Sequence, residues 1–238
     1  MSICIINPAR SQGDPQLPPY GILAVNPADS SCFQNFAQQY GLKRHVLFHA
    51  QLYSNDTFFL AGPAVGAPMA AICLEKLIVL GARRIVVYGW CGSLTPSLCT
   101  GDLFIPTGGV SEEGTSVHYQ SDPVCNDDCL RLSLFETLTR EGCLPKSGWI
   151  WTTDAVYRET REKVERYRAQ GILAVDMEFT ALRSVAAFRG VSLAAVMLVS
   201  DELFHEEWTP KFQYKKFRTD SRRVLAKLCA IIHAAEAS

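Results

Sequence analysis

Short apolar runs alternate along the chain with segments whose apolar residues recur every three or four positions. The clearest case is residues 171–202, where the apolar run 172–175 is followed by helical spacing over 177–188 and by Gly190, a suitable helix end. The run 191–199 is apolar almost throughout, as expected of a strand buried on both faces. The region therefore predicts a βαβ unit with parallel strands.

The same two patterns predict the elements of the rest of the chain. Apolar runs bounded by turn residues predict strands at 22–25, 57–61, 84–88, 101–106 (beginning with a turn) and 149–152, and GWCGSL predicts a turn after residue 88. Amphipathic stretches predict helices that end near residues 40 and 81, and others at 127–140, 159–170 and 220–234. This alternation predicts an α/β fold, a twisted, mostly parallel mixed sheet with helices on both faces.

The N-terminal segment differs in character from the rest of the chain. The first twenty residues contain four prolines and predict an extended arm. Because such a segment cannot fold alone, we expect it to pack on its own core or on a neighbouring subunit. The remainder shows no internal repeat or linker. We therefore predict an arm at 1–21 and a single domain at 22–238.

Composition narrows the class of protein. The 238 residues are 48% hydrophobic and 20% charged, as in soluble globular proteins, and a net charge of −1 argues against nucleic acid or anionic membrane as a partner. The apolar runs are too short to span a membrane, and the N-terminus does not resemble a signal peptide. Nine cysteines without framework spacing predict reduced thiols and a cytoplasmic protein; Cys125 and Cys129 lack the further ligands of a metal site.

Three acidic residues fall where α/β proteins bind ligands. Asp176 and Glu178 stand between the first strand and the helix of the 171–202 unit, and Asp201 follows the second strand. In a parallel sheet both positions belong to the carboxyl edge, where such folds form their sites. Each acid also has a structural explanation, since Glu178 could complement the helix dipole and Asp201 could cap a turn. Their shared position favours a site.

The residues around these acids resemble motifs of the nucleoside phosphorylase family, which also contains nucleoside hydrolases. AVDMEFTAL and LVSDEL resemble the family's VEMEA and VSD motifs, and GDLFIP resembles its Gly-Asp-x-x-x-Pro element. The resemblance runs from about residue 22 to the end and implies that the chain has the family's fold. It further implies that Met177 and Glu178 bind the ribose, and that the catalytic Asp201 protonates a departing purine.

The same resemblance implies a base pocket. The family has a Gly-x-x-Gly turn between phosphate and base, an aromatic wall at the place of residues 153–157, and a mobile flap at the place of 204–217. The base-binding residues implied here are Cys91, Gly92, Val156, Tyr157, Val175 and Asp176. The Gln and Arg with which uridine phosphorylases read uracil are absent from YRETRE at 157–162, which favours a purine.

The chain departs from the family where phosphate should bind. The family's phosphate loop has a Gly where this chain has Pro27. The family's usual site contains two arginines and a hydroxyl group. This chain has Ser31 and Val87 in place of the arginines and Trp90 in place of the hydroxyl group. Fewer charged hydrogen bonds are then available to an anion, so we expect weak phosphate binding.

Other groups could replace part of this phosphate site. Arg44 aligns with an arginine that the family sends into the neighbouring subunit, and the turns that contain Gly66 and Trp90 offer backbone N–H groups to an anion. These three residues are the predicted phosphate site. Water as the nucleophile would need only a base, for which Asp29 is the nearest candidate.

The sequence therefore predicts a nucleoside phosphorylase, a transferase of nucleotide salvage. The reaction is phosphorolysis of a purine nucleoside to free base and ribose 1-phosphate, with phosphate as co-substrate and with no metal or other cofactor. The alternatives are a hydrolase, a uridine phosphorylase, and a degenerate member that binds a nucleoside without cleaving it. Because the family completes each site with residues of a neighbour, we expect a homo-oligomer, from dimer to hexamer, with shared active sites.

Overall fold

The computed structural model describes residues 4–48, 50–119, 128–208 and 210–236. The strands in this part of the chain are β1 (Tyr20–Ala24), β2 (Lys43–Leu47), β3 (Ala50–Ser54), β4 (Phe59–Gly62), β5 (Arg84–Ser93), β6 (Leu103–Glu112), β7 (Lys146–Thr153), β8 (Ile172–Asp176) and β9 (Ser192–Glu202). The helices are α1 (Phe33–Tyr40), α2 (Ala67–Leu80), α3 (Cys129–Arg140), α4 (Arg161–Ala169), α5 (Phe179–Arg189) and α6 (Lys215–Glu236). Short 3₁₀ turns join several of them.

Strand β5 is the centre of the sheet because three strands pair with it. It runs parallel to β1 on one side and to β9 on the other, and its last residues, Gly92 and Ser93, also pair antiparallel with β8. The order β2-β3-β4-β1-β5-β8-β7-β6-β9, with the additional pairing of β5 with β9, closes β5, β8, β7, β6 and β9 into a ring. The α/β class and the mixed sheet are therefore confirmed.

Two apolar layers cover this sheet. One contains α2 and α5, and the other contains α1, α3 and α6. Helix α2 is apolar almost all round, which is consistent with its deep burial. The predicted helices on both faces are thus confirmed. None of the helices in the described part of the chain has the length and apolar character needed to span a bilayer.

The predicted parallel βαβ unit is wrong. Strand β8 runs antiparallel to β5, whereas β9 runs parallel to β5, so α5 joins two strands of opposite direction that are not neighbours. Apolar periodicity identified the strand, the helix and the next strand, but it carries no information on strand direction. The acids still converge, because Gly92 of β5 pairs with both Val175 and Asp201.

The predicted turn at GWCGSL is also wrong, because β5 continues through it to Ser93. The pairing with β9 shifts between Cys91 and Gly92, a β-bulge that lets the strand bend instead of ending. The glycines there serve close packing: a Cβ added at Gly92 would overlap Leu203. A glycine pair in a strand gives the same sequence signal as a turn.

One hairpin was not predicted, one helix begins earlier than predicted, and one predicted start lies outside the described residues. The hairpin of β2 and β3 was not predicted, because the exposed residues of β2 give no apolar run. Helix α6 begins at Lys215, five residues before the predicted 220. The predicted start of the 127–140 helix, Asp127, lies outside the described residues, and α3 is described from Cys129.

The N-terminal arm packs on its own chain. The backbone N–H of Leu17 donates to the carbonyl of Leu80 at 2.9 Å, and Lys76 Nζ lies 2.6 Å from Asp14 Oδ2 and 2.7 Å from the carbonyl of Ala9. These contacts hold the arm along α2. Strand β1 then begins at Tyr20, and the division into an arm at 1–21 and a domain at 22–238 stays a prediction.

Candidate active site

A pocket of about 260 Å³ lies where β5, β8 and β9 meet. It brings together predicted residues from segments that are far apart in the sequence. The predicted site residues that line it are Trp90, Cys91, Gly92, Val156, Val175, Asp176, Met177, Glu178 and Asp201. Their common position agrees with one site, while the role of each stays a prediction.

The side chain of Glu178 is hydrogen-bonded by the glycine-rich loop that precedes α2. Its side chain is 5% exposed, and its Oε1 accepts a hydrogen bond of 2.6 Å from the backbone N–H of Gly66. Gly66 has a φ of +81°, a conformation that favours glycine, and it immediately precedes α2. The loop N–H that was predicted to bind phosphate therefore binds and orients a carboxyl group in this structure.

Asp176 has a structural part in the site. Its Oδ2 accepts from the backbone N–H groups of Glu178 at 3.1 Å and Phe179 at 2.7 Å, and its Oδ1 accepts from Thr152 Oγ1 at 2.6 Å. It therefore caps the start of α5 and fixes the backbone from which Glu178 projects. These bonds use three of the roughly four acceptor sites of the Asp176 carboxyl, the residue that the sequence assigned to the base.

The pocket has an acidic lining. It contains the carboxyl groups of Glu159, Asp176, Glu178 and Asp201, and no Lys or Arg of the described residues lines it. Burial raises the pKa of both Asp176 and Glu178, and the charge of Asp176 raises the pKa of Glu178 further. The pocket of one chain therefore disfavours an additional negative charge.

Asp201 has two hydrogen-bond partners. Its Oδ1 accepts from Ser200 Oγ at 2.6 Å, and its Oδ2 accepts from the indole Nε1 of Trp208 at 2.8 Å. Trp208 is 57% exposed and lines a neighbouring cavity, so a surface residue contacts a carboxyl group of the pocket from outside it. An incoming ligand that needs Asp201 Oδ2 has to displace this indole.

Trp90 and Asp29 belong to a buried network behind the pocket. Trp90 Nε1 donates to Ser221 Oγ at 2.7 Å, and Ser221 Oγ donates to Asp29 Oδ2 at 2.7 Å. Tyr88 Oη and Asn26 Nδ2 complete the network. The indole N–H of Trp90 is thus directed to α6 and not to an anion. Asp29 is 1% exposed and does not line the pocket, which argues against it as the base for water.

The network makes a testable contribution to stability. Ser221→Ala leaves the Trp90 N–H and the Asp29 carboxyl each short of a buried partner, which is expected to lower the free energy of unfolding by about 1–3 kcal/mol. Urea unfolding monitored by circular dichroism measures the change. Ser133→Ala, at an exposed position of α3, is the matched control and should leave the midpoint unchanged. Equal stability of the two variants would contradict the network.

Three predicted residues do not line the pocket. Tyr157 is 95% exposed and lines a separate cavity of about 280 Å³ together with Glu159 and Trp208. Gly66 contributes its N–H to Glu178. Arg44 is exposed on β2, and its predicted contact with a neighbouring subunit's phosphate site stays a prediction.

Other residues of the pocket were not predicted as site residues. Glu159 lines it, as do Asn26, Pro27, Val65 and Phe212. Phe212 stacks on Trp90 with ring centroids 6.2 Å apart. Glu159 lies within YRETRE, where the sequence analysis considered only the absence of the Gln and Arg that bind uracil. A charged segment of this kind is typical of a solvated surface. Phe212 and Trp208 lie in the aromatic segment 204–217, which the resemblance predicted to be a flap over the base. That prediction was the sequence signal that could have identified them as site residues.

The sequence predicts no metal site at Cys125 and Cys129, and Cys125 lies outside the described residues. Over the described ranges, which omit Cys125, no group of three or more His, Cys, Asp or Glu residues could hold a metal ion. The neighbouring Cys129 is exposed at the start of α3.

Comparison with known proteins places the chain in a family. The sequence model of the phosphorylase superfamily matches residues 23–234. A DeoD-type purine nucleoside phosphorylase of Bacillus cereus is 28% identical over 186 residues, 76% of each protein. A similar protein of Bacillus mycoides has the same identity and coverage.

Solved structures share the fold. Purine nucleoside phosphorylase from Toxoplasma gondii, in complex with immucillin-H, has a TM-score of 0.78 at 19% identity and covers 99% of both chains. Uridine phosphorylase from Vibrio fischeri ES114 has a TM-score of 0.76 at 22% identity with 92% coverage of both chains. AMP nucleosidase from Bacteroides thetaiotaomicron VPI-5482 has a TM-score of 0.67 at 21% identity and covers 90% of this chain and 91% of its own.

The structural similarity supports the fold alone, because these three proteins share less than a quarter of their residues with the chain. The family match covers nearly the whole chain and agrees with the motifs around Glu178 and Asp201. The chain is therefore a member of the phosphorylase superfamily, and the family and the enzyme class predicted from its sequence are confirmed.

Proposed function

We propose that the chain cleaves the N-ribosyl bond of a purine nucleoside in the pocket that contains Glu178 and Asp201. The observation that carries the proposal is the convergence of Met177, Glu178 and Asp201 on one cavity whose walls include apolar side chains such as Val156. A purine fits apolar walls with a few polar groups that fix its orientation. The purine nucleoside phosphorylases among the relatives support this choice of substrate.

The reaction separates charge, and the two carboxyl groups suit its two halves. As the C1′–N9 bond breaks, positive charge grows on the ribose and the bonding electrons leave with the base. Glu178 accepts hydrogen bonds from the ribose hydroxyls and stabilises the cation. Asp201 delivers a proton to the base, and general acid catalysis of this kind is typically worth ~10²–10⁴-fold. The bond from Trp208 to Asp201 Oδ2 opens before that oxygen can carry the proton.

Phosphate is the proposed nucleophile, and its cation comes from a second subunit. The acidic lining of the pocket offers a phosphate dianion little compensation within one chain. Arg44 is exposed on β2 and can supply the missing charge to a neighbour. The proposal therefore includes a homo-oligomer with shared sites, and a phosphate affinity in the millimolar range or weaker, as expected for few contacts.

Hydrolysis is the second candidate, and the acidic lining favours it. Water requires no cationic site, and Ser31, Val87 and Trp90 stand where arginines and a hydroxyl would bind phosphate. The two candidates differ in their sugar product. Phosphorolysis yields ribose 1-phosphate, whereas hydrolysis yields free ribose.

A substrate panel tests the proposed function. Inosine, adenosine and uridine are incubated with the protein, with and without phosphate, and the free base is quantified by chromatography. We expect purine release that depends on phosphate and little uracil. Release at the same rate without phosphate would establish the hydrolase. The absence of base from every purine nucleoside would overturn the proposal and leave a binding protein.

The shared site predicts the effect of one substitution on phosphate dependence. Arg44→Ala is expected to abolish the stimulation of base release by phosphate, because it removes the only cation assigned to the anion. Lys43→Ala is the matched control, because neighbouring residues of a strand point to opposite faces. Light scattering on the same samples should show an oligomer. An active monomer of 26.3 kDa would contradict the shared site.

A further inference from the structure

Glu159 lies at the junction of two cavities. It lines the nucleoside pocket together with Asp201 and Val156, and it also lines the adjoining cavity of about 280 Å³. It follows the 3₁₀ turn Val156–Arg158, and its backbone N–H donates to the carbonyl of Val156. The residue is half-buried. Its side chain is therefore accessible from the pocket and is partly shielded from bulk water.

The Glu159 carboxyl accepts no hydrogen bond from any group in the described ranges. Two cations of the adjoining helix α4 are engaged elsewhere: Lys163 Nζ donates to Glu112 Oε2 at 2.8 Å, and Arg161 Nη2 donates to the carbonyl of Glu206 at 2.9 Å. The Glu159 carboxyl therefore keeps its hydrogen-bonding capacity for a group that enters the pocket it lines. Because Glu159 lines the pocket, a ligand bound there can form a hydrogen bond with its carboxyl group.

The surroundings of Glu159 favour its neutral form. Burial is the main cause, and the charges of Asp201 and Asp176 add to it, so that the pKa of Glu159 is raised to about 8. Lys163 opposes the shift. The titratable and charged groups that face Glu159 from the surrounding elements are Asp176 of β8, Asp201 of β9, Arg161 and Lys163 of α4, and His205 and Glu206 of the segment after β9.

We propose that Glu159 determines which purine the pocket accepts, by hydrogen-bonding the edge of the base that carries N–H donors. The inference rests on the proposed function, since it assigns the base of that nucleoside to this end of the pocket. Glu159 is a specificity residue in this account, and the proton transfer stays with Asp201.

Hydrogen-bond chemistry then couples the choice of purine to protonation. A neutral carboxylic acid offers one donor and one acceptor, which matches the N6 amino group and N1 of adenine. It also matches N1–H and O6 of guanine. A carboxylate offers only acceptors, which match N1–H and the 2-amino group of guanine but leave N1 of adenine facing a negative oxygen. Raising the pH through the pKa of Glu159 therefore penalises adenosine relative to guanosine.

The test is the ratio of kcat/KM for adenosine to kcat/KM for guanosine at pH 6 and at pH 9. Effects of pH on steps that both substrates share cancel in the ratio. We expect the ratio to fall at least ~10-fold in the native protein, because a site built to pair polar groups rejects a mismatched partner strongly. Glu159→Gln keeps one donor and one acceptor at every pH, so its ratio should stay constant between pH 6 and pH 9.

Two further variants make the outcome decisive. Glu159→Leu removes both hydrogen bonds and should lower the activity on both purines, whereas Glu165→Gln on the exposed face of α4 should behave like the native protein. A ratio that does not change with pH in the native protein, or that falls equally in Glu159→Gln, would overturn the assignment of Glu159. Failure of the native protein to release base from either nucleoside would instead refute the proposed function itself.

Discussion

Asp201→Asn is expected to lower turnover of a purine nucleoside at least ~100-fold while ligand binding survives. The amide has nearly the shape of the carboxyl group but cannot deliver a proton to the departing base. It can still accept from Ser200 Oγ or from the indole of Trp208, which hold the native side chain at 2.6 and 2.8 Å. The loss should therefore appear in kcat, with little change in nucleoside affinity.

The measurement combines single-turnover base release with nucleoside binding by calorimetry. Asp56→Asn makes the same chemical change at an exposed turn far from the described pocket residues and serves as the control. Unchanged turnover in Asp201→Asn would remove Asp201 from the mechanism. Loss of binding together with turnover would assign it to the binding of the base.

Glu178→Gln is expected to lower both affinity and rate. Burial and Asp176 raise the pKa of Glu178, so its negative charge is present only once the carboxyl ionises. The substitution removes the hydrogen bond that this ionised carboxyl makes to the ribose, worth roughly 1.5–3 kcal/mol, or about 10- to 100-fold in kcat/KM. The amide oxygen can still accept from the Gly66 N–H, which contacts Glu178 Oε1 at 2.6 Å, so the loop before α2 should keep its place. Glu178→Gln therefore removes the negative charge of this side chain and keeps its shape nearly unchanged.

A ligand without a sugar separates this role from general stability. In the native protein the nucleoside should bind more tightly than its free base, and Glu178→Gln should reduce this difference. Glu136→Gln, at an exposed position of α3, is the control for the loss of a carboxylate. If the free base and the nucleoside bind the native protein equally well, Glu178 does not contact a sugar.

The fold was predictable from the sequence where a signal is local. Helices α2 and α5 were predicted nearly to their ends, because Gly81 and Gly190 follow runs of helical periodicity and both adopt positive φ. Strand direction and the bulge after Cys91 were not predictable in this way. Both depend on pairing between distant segments, which periodicity does not encode.

The candidate site was predictable where the family motifs lie, because the sequence placed Glu178 and Asp201 together and both line one pocket; their roles stay predictions. Trp208 and Glu159 were missed, because their segments carry the aromatic and charged residues that are common on protein surfaces. Their places in the site come from tertiary structure, in which the 3₁₀ turn Val156–Arg158 and the segment after β9 approach the same edge. Asp176 lines the pocket, and its carboxyl also caps α5, a contact that the sequence did not predict; its role in binding the base stays a prediction.

The central claim is that a purine nucleoside binds between Glu178 and Asp201, and a crystal structure tests it most directly. The Asp201→Asn variant, soaked with inosine and phosphate, should hold the intact nucleoside in the pocket of about 260 Å³. The account predicts the ribose hydroxyls within hydrogen-bond distance of the Glu178 carboxyl and N7 of the purine beside the side chain at position 201. A nucleoside bound in another cavity, or with its base against Glu178, would contradict it.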